Sequence, residues 1–491
     1  MPMPEMSFSP PDYTGHPLLD VGLATLTAFA GKKHPTLLTE EDLHNAGRYI
    51  RENYIVDPLK SFLSVAFPTS GYNNPSYDKY PEKRLMYAEI ISRAFSAPVG
   101  GERDPLTGFP VVALPLNVDG DFPPGRTYRQ HVPLLTGVNV INFHPYGEAG
   151  IPLSGISLLA FQMLPMGCAK VSGKLLAVHS NDPDLLLSFA RTFLKANLQG
   201  VITARAGGEK KLPDTSPHRA RTVLIEHLLE AEKERTRQEK ENGRLAPTLT
   251  GYYFTNSGQG AELDIYPLPL EVGVFLREVM HNDLLKPDWE ALTARGWQLT
   301  RKEGETPRYN RLYEDLFTLP EGAPRFIRLY FLRKPSHQRT DKQDPTLTYD
   351  TRREVDLISW QLTQLFLRKV MLMEDSRVQS IRELGDALAQ YILDRNDRSV
   401  FNGFWMARNY GELRAVLIRA SAAEVRAGRK PLINLDQFLA IFEQSEGIPN
   451  SDWRLGRDLV LIRLLEQLYQ KGWLQAHAEE LPEAAPEEEN L

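Results

Sequence analysis

No stretch of the sequence carries the residue spacing of a known catalytic site. Gly167–Leu175 resembles a phosphate-binding loop, but five residues separate its two glycines, whereas that motif has four. Leu175 also stands where a hydroxyl should hold magnesium. Asp288 and Glu290 lie near Lys286 without the spacing of a nuclease. We therefore predict no catalytic residue and no metal ligand.

Cysteine and histidine chemistry is equally sparse. Cys168 is the single cysteine, which excludes an internal disulfide and any zinc site built on cysteine pairs. It lies in an apolar run, so a buried and unreactive thiol is expected. The 11 histidines are scattered, and His144 and His179 lack neighbours that would complete a metal pair. We expect structural histidines and no cofactor.

Two polar loops carry side chains suited to nucleic acid. In Pro68–Arg84 (PTSGYNNPSYDKYPEKR), rings, amides and cations lie between glycine and proline breakers. Thr250–Leu270 predicts a strand, a glycine-bracketed loop and a second strand. Amides of this second loop could pair with adenine edges. An ordinary hairpin with turn residues explains the same pattern.

The most basic window runs from Arg325 to Arg353. Tyr330 and Phe331, with Arg325, predict a strand, and 334–349 predicts a flexible linker. Such a window would neutralise phosphates, although a solvated linker explains it equally well. Three acids accompany its eight cations, which are Arg325, Arg328, Arg333, Lys334, Arg339, Lys342, Arg352 and Arg353.

Apolar residues recur three to four positions apart through the C-terminal part, from Val355 to Leu468, which predicts a bundle of helices. The N-terminal part mixes helical patterns with short apolar runs and turns. The predicted fold class is therefore α+β, a mixed N-terminal body with short antiparallel strands followed by an all-α bundle. The predicted divisions are the body at 1–335, a basic linker at 336–350, the bundle at 351–475 and an acidic disordered tail at 476–491.

Charge and hydropathy narrow the class of protein. The net charge is −6, but the tail holds six glutamates, and the rest balances 57 cations against 57 acids. A nucleic-acid surface must therefore be local. The apolar run Ile151–Cys168 is broken by prolines and polar residues, so no membrane association is expected. The proline-rich, acidic opening differs from a secretion signal, and a cytoplasmic location is expected.

Three stretches carry a family resemblance. They are Tyr252–Gly260 followed by Asp264-Ile265-Tyr266, Gly150–Gly155 leading into Gln162–Gly167, and Thr14–Gly22. With the helical C-terminus, they resemble the large subunit of type I-B CRISPR interference complexes (Cascade) over most of the chain. Many members carry two Cys-x-x-Cys pairs, whereas this sequence has only Cys168, so a zinc element must be absent or replaced by packing.

The resemblance implies a subunit that is not an enzyme. Such subunits recognise the short motif beside the target in double-stranded DNA (the PAM), begin strand separation and recruit a helicase-nuclease. The implied partners include guide RNA, the backbone subunit, the 5′-handle-binding subunit and a small subunit. The bundle resembles that small subunit, which supports the displaced strand and can be translated from an internal start, here at Met371 or Met373. A transposon-associated complex and a nuclease with an unrecognised site are the alternatives.

The loops supply candidate DNA-contacting residues under this interpretation. PAM reading needs amide or cationic side chains at base edges, and duplex opening needs a wedge and phosphate contacts. The candidates for base edges are Asn73 and Asn74 in the first loop and Asn256 and Gln259 in the hairpin loop. Ser257, which follows Asn256, is a further candidate for DNA contact. Tyr72 or Tyr77 would stack or act as the wedge. The candidates for phosphates are Lys79, Lys83, Arg84, Arg325, Arg328, Arg333 and Lys334.

Overall fold

A computed structural model describes residues 8–138, 149–238, 247–256, 260–300, 304–332, 334–335, 348–349, 359–443 and 453–477. These residues fall into two compact units, Met1–Leu270 and Glu271–Leu491. The first mixes helices with short antiparallel strands, and the second is largely helical, which confirms the predicted α+β class. Among the described helices, none has the length and apolar character to cross a membrane.

The first unit contains seven α-helices and eight strands within its described part. Its helices are α1 Pro17–Phe29, α2 Glu40–Asn53, α3 Leu59–Phe62, α4 Pro81–Ser92, α5 Gly155–Met163, α6 Pro183–Ala206 and α7 Ala220–Gln238. Its strands are β1 Val99–Arg103, β2 Pro110–Val112, β3 Arg126–Thr127, β4 Ile151–Pro152, β5 Ala169–Val171, β6 Lys174–Ser180, β7 Leu249–Thr255 and β8 Glu262–Leu268.

Helix α1 lies at the centre of the first unit. It is buried from Leu18 to Thr27, because its residues are apolar or small on every face except at Asp20, whose carboxylate accepts from the N–H groups of Thr14 and Gly15. It packs on α5 and α6. At Gly22 an added Cβ would lie 2.3 Å from the carbonyl oxygen of Ala160 in α5. Only glycine therefore permits this close approach of the two helices.

A four-stranded antiparallel sheet, in the order β5-β6-β7-β8, lies beside these helices. Strands β7 and β8 form the predicted hairpin, with Tyr252 opposite Ile265 and Thr255 opposite Glu262. Phe254 of β7 is fully buried, whereas most of β8 is exposed. The hairpin therefore extends from the core to the edge of the sheet.

The second unit is built from helices, with one short pair of strands. They are α8 Leu270–His281, α9 Lys286–Gln298, α10 Arg311–Leu316, α11 Ala323–Phe326, a π-helix Ile327–Phe331, β9 Lys334–Pro335, β10 Thr348–Tyr349, α12 Trp360–Lys369, α13 Asp375–Arg395, α14 Arg398–Trp405, α15 Tyr410–Arg426, α16 Leu435–Phe442, α17 Trp453–Gln470 and α18 Trp473–Ala476.

The predicted apolar stripes form the core of the bundle. In α17, Leu459, Ile462 and Leu465 are fully buried against α13. Helix α16 departs from the pattern, because Leu435 and Leu439 on its stripe are 70% and 40% exposed. The sequence pattern thus identifies α16 as a helix but overstates its burial.

The predicted strand at Arg325, Tyr330 and Phe331 is wrong. These residues lie in α11 and the π-helix, because Pro324 opens a helical turn and Phe326, Ile327 and the two aromatic residues after them bury at helical spacing. Phe326 stacks on Phe366 of α12 with ring centroids 5.1 Å apart. Residues 271–332 thus belong to the same compact unit as the bundle, whereas the sequence placed the division after 335.

Candidate nucleic-acid interface

Asn256 ties the end of β7 to the short turn that precedes the first polar loop. It follows β7 and is 1% exposed. Its backbone N–H donates to the Val65 carbonyl at 2.7 Å, and its Nδ2 donates to the Ala66 carbonyl at 3.1 Å. Buried amides are stable only when such bonds are made. Asn256 therefore anchors the loop, and the prediction that its amide is open to a base edge is wrong. Ser257 and Gln259 lie outside the described residues.

A third polar segment meets the same anchor. The Arg129 carbonyl lies 3.5 Å from Nδ2 of Asn256, and the Arg129 N–H donates to the Thr136 carbonyl at 3.0 Å. The side chain of Arg129 is partly buried, and its Nε has no hydrogen-bond partner within the described part of the chain. Arg129 therefore adds a backbone contact to the Asn256 anchor, and no local sequence pattern identifies it.

Tyr72 is a core residue, so the prediction of an exposed ring at this position is wrong. Its side chain is fully buried, and its hydroxyl donates to Oε1 of Gln162 at 3.0 Å. Burial raises the pKa of Tyr72 well above its usual range. Gln162 also donates from Nε2 to the His131 carbonyl at 2.6 Å. The buried Tyr72 side chain thus holds the loop against the core.

The neighbouring residues Asn73, Asn74 and Tyr77 are half-buried at the surface. Nδ2 of Asn73 donates to the Phe67 carbonyl at 3.0 Å, and Oδ1 of Asn74 accepts from the Ser76 N–H at 3.0 Å. Each amide thus uses one group to shape the loop. Oδ1 of Asn73, Nδ2 of Asn74 and the face of the Tyr77 ring are therefore the groups that this loop offers to a ligand.

The three cations of this loop differ in their pairing. Lys83 contacts Asp119 at 3.1 Å, and Arg84, in the first turns of α4, contacts Asp78 at 2.7 Å. Lys79 is exposed and makes no ion pair with another described residue. Exposed ion pairs are worth little. Lys79 is therefore the cation most available to a phosphate, followed by Lys83.

Two side chains of the predicted basic window, those of Arg325 and Arg328, lie within the described residues of the second unit. Nε of Arg328 donates to Oδ2 of Asp458 at 2.8 Å, and Asp458, which is 1% exposed, is also held by Arg457. Arg328 is therefore a structural ion-pair partner, which contradicts its assignment to a phosphate. Arg325 is exposed on α11. Arg333 and the side chain of Lys334 lie outside the described residues.

Helix α15 presents a basic surface that the sequence reasoning missed. Arg414, Arg419 and Arg426, here called the arginine face, are exposed, and none pairs with a carboxylate of the described residues. They are spread over the exposed half of α15, with Arg414 and Arg419 about 140° apart around the helix axis, and that half excludes the buried residues Leu413 and Val416. A search for cations on the polar half of a predicted helix would have found them.

Cys168 and His179, two groups expected to be structural, both lie within the described residues. Cys168 is fully buried, and burial raises the pKa of its thiol far above the usual range. Nε2 of His179 lies 3.4 Å from Oδ2 of the buried Asp20. His144 lies outside the described residues. Within the described ranges, no three His, Cys, Asp or Glu side chains are grouped as metal ligands.

Comparisons of this chain with protein-family models, with curated proteins and with solved structures found no match. The functional interpretation therefore depends on the residues themselves and on the resemblance noted above.

Proposed function

We propose that this protein is the large subunit of a type I-B Cascade complex, which recognises the PAM in double-stranded target DNA and initiates strand separation. It binds DNA without cleaving it. Its partners are guide RNA, the backbone subunit, the 5′-handle-binding subunit, the small subunit and the helicase-nuclease. The observation that carries the proposal is the anchor at Asn256, because it fixes the start of the hairpin loop to Val65 and Ala66, just before the first polar loop.

The loop surface divides the work of recognition. Asn73 and Asn74 supply amides for base edges, together with Gln259 from the anchored loop. Tyr77 supplies the ring for stacking or wedging, and Nζ of Lys83 lies 6.0 Å from that ring's centroid. Lys79 and Lys83 neutralise phosphates. The buried Tyr72 and Asn256 hold these groups in place and make no contact with DNA.

The arginine face of α15 supports a second part of the proposal. Single strands bind grooves and ridges where cations follow the backbone. Arg414 and Arg426 are 12 positions apart in the helix, which at 1.5 Å per residue is about 18 Å. That length matches a few nucleotides. We assign this face to the displaced strand.

The test is binding of the assembled complex to duplexes with correct and incorrect PAM sequences. We expect Asn73→Ala combined with Gln259→Ala to remove the discrimination between the two duplexes. Lys79→Ala should weaken both duplexes alike and reduce the salt slope by about 1. Lys195→Ala, an exposed lysine of α6, is the matched control and should change neither quantity.

Unchanged discrimination in the double variant would remove these loops from the PAM reader. Cleavage of DNA by the purified chain with divalent metal would refute the non-catalytic role. Co-purification of the chain with guide RNA and neighbouring subunits tests the assembly directly, and an RNA-free chain that joins no complex would refute it.

A further inference from the structure

The arginine face makes no ion pair within the described part of its own unit, although Glu412 of the same helix is exposed. Ile418 and Val425 lie among the arginines and are 57% and 55% exposed. Glu424, the acid nearest the end of α15, points into the unit, where it pairs with Arg395 at 3.1 Å and with Arg429 at 2.5 Å. The exposed side of the helix is therefore cationic and partly apolar.

Residues 478–491 have the complementary composition. This acidic segment, AEELPEAAPEEENL, contains six glutamates, no lysine or arginine, and two leucines, Leu481 and Leu491. Opposite charges attract most strongly at low ionic strength, and the attraction is screened beyond a Debye length of about 8 Å at physiological salt. Glutamates can therefore pair with the arginines, while Leu481 can cover an exposed apolar side chain.

The acidic segment departs close to the C-terminal end of α15. Trp473 of α18 donates from Nε1 to Oδ1 of Asn396 at 2.9 Å, and His477 stacks on Trp473 with centroids 4.4 Å apart. The residue before Asn396, Arg395, donates to the Ala423 carbonyl of α15 at 3.2 Å. Two contacts thus connect the start of the segment with the last turns of α15.

The segment is long enough to cover the arginine face. Its 14 residues can span at most about 46–50 Å when extended. Helix α15 has 17 residues and is therefore about 26 Å long. The segment can run back along the whole helix without strain. Because it is tethered, its effective concentration at the face is on the order of millimolar.

We propose that the acidic segment 478–491 binds the arginine face of α15 in cis and competes there with the phosphates of single-stranded nucleic acid. The competition rests on the proposed function, whereas the docking does not. In an assembled complex, only a nucleic-acid strand held close by other contacts would displace such a segment from the arginine face. It would thereby suppress binding to unrelated nucleic acid.

Docking is measured without DNA. In the full-length chain the six glutamates are replaced by Gln, which leaves the arginine face open. A fluorescein-labelled peptide of residues 478–491 is added, and its anisotropy is followed at 50 mM and 500 mM salt. We expect binding at low salt that is lost at high salt, and lost when Arg414, Arg419 and Arg426 are also replaced by Gln. A peptide that fails to bind, or binds both proteins equally, overturns the proposal.

Competition is measured with oligothymidine. We expect the glutamate-to-Gln chain to bind it about 3–10-fold more tightly than the natural chain at low salt, which corresponds to a face that is free about a third to a tenth of the time. The arginine-to-Gln background should abolish this difference. A triple control, Arg308, Arg368 and Arg382→Gln, should retain it. If no variant binds oligothymidine, the assignment of this face to a DNA strand fails, and the peptide experiment still decides the docking. Equal affinity of the natural and glutamate-to-Gln chains refutes the competition.

Discussion

Replacing Asn256 by Ala separates an anchoring role from a base-reading role. The substitution removes the Nδ2 donor from the buried carbonyl of Ala66 at 3.1 Å and from that of Arg129 at 3.5 Å. A buried acceptor that loses its partner costs about 1–3 kcal/mol. The longer bond contributes little, so we expect about 2 kcal/mol in total. The backbone bond to Val65 survives, because alanine keeps its N–H.

The magnitude of this change is measurable by calorimetry. For a folding unit of this size, 1 kcal/mol shifts the Tm by about 2–4 °C, so Asn256→Ala should lower the Tm of the first unit by about 4–8 °C. Asn73→Ala is the control, because it removes one bond from a half-buried side chain and should lower the Tm by less.

The DNA-binding result completes the separation of roles. An anchor that is lost should loosen the loop and weaken PAM discrimination without abolishing it, because Gln259 and the first loop remain. An unchanged Tm together with complete loss of discrimination would refute the anchoring argument. In that case the amide would face the DNA, contrary to its buried position.

Two further predictions concern stability. Arg328→Ala should destabilise the second unit by about 1–3 kcal/mol in chemical denaturation, because Asp458 stays buried with one guanidinium fewer. The control Arg325→Ala, on the exposed side, should change the free energy of unfolding by less than about 0.5 kcal/mol. Equal effects of the two substitutions would contradict the pairing of Arg328 with Asp458. Burial lowers the pKa of His131 to about 4, so from pH ~6.5 down to ~4 only the unfolded chain takes up this proton, and stability should fall with pH by up to about 3 kcal/mol. Thermal unfolding across this pH range should show a shallower slope in His131→Gln, and an identical slope would refute the assignment.

The sequence predicts those features that depend on local periodicity. The stripes of α13, α15 and α17 and the β7–β8 hairpin are visible because neighbours in sequence share one environment. The run from Phe326 to Phe331 is too short to show its period, so a helix and a strand are indistinguishable there. Its helical form is set by burial against α12, which no local pattern records.

The sequence predicted the loops of the candidate site, but it did not predict the contacts that hold them. Asn256 has the composition of a loop residue, and its partners, Val65 and Ala66, lie about 190 positions earlier in the chain. Arg328 likewise finds Asp458 130 positions later. Pairing over such distances is a property of tertiary structure. Side-chain type therefore indicates what a residue can do, whereas its burial decides whether a ligand can reach it.

The packing of α12 on α13 and α17 bears on a shorter product begun at Met373. Such a polypeptide would keep α13 and α17 but lose α12, which packs against both. It would also leave Asp458 without Arg328. The apolar side chains that α12 covers would then be exposed along the truncated bundle, and an exposed apolar patch favours association with another protein. We therefore expect the fragment to be bound to another protein and not to be a free monomer.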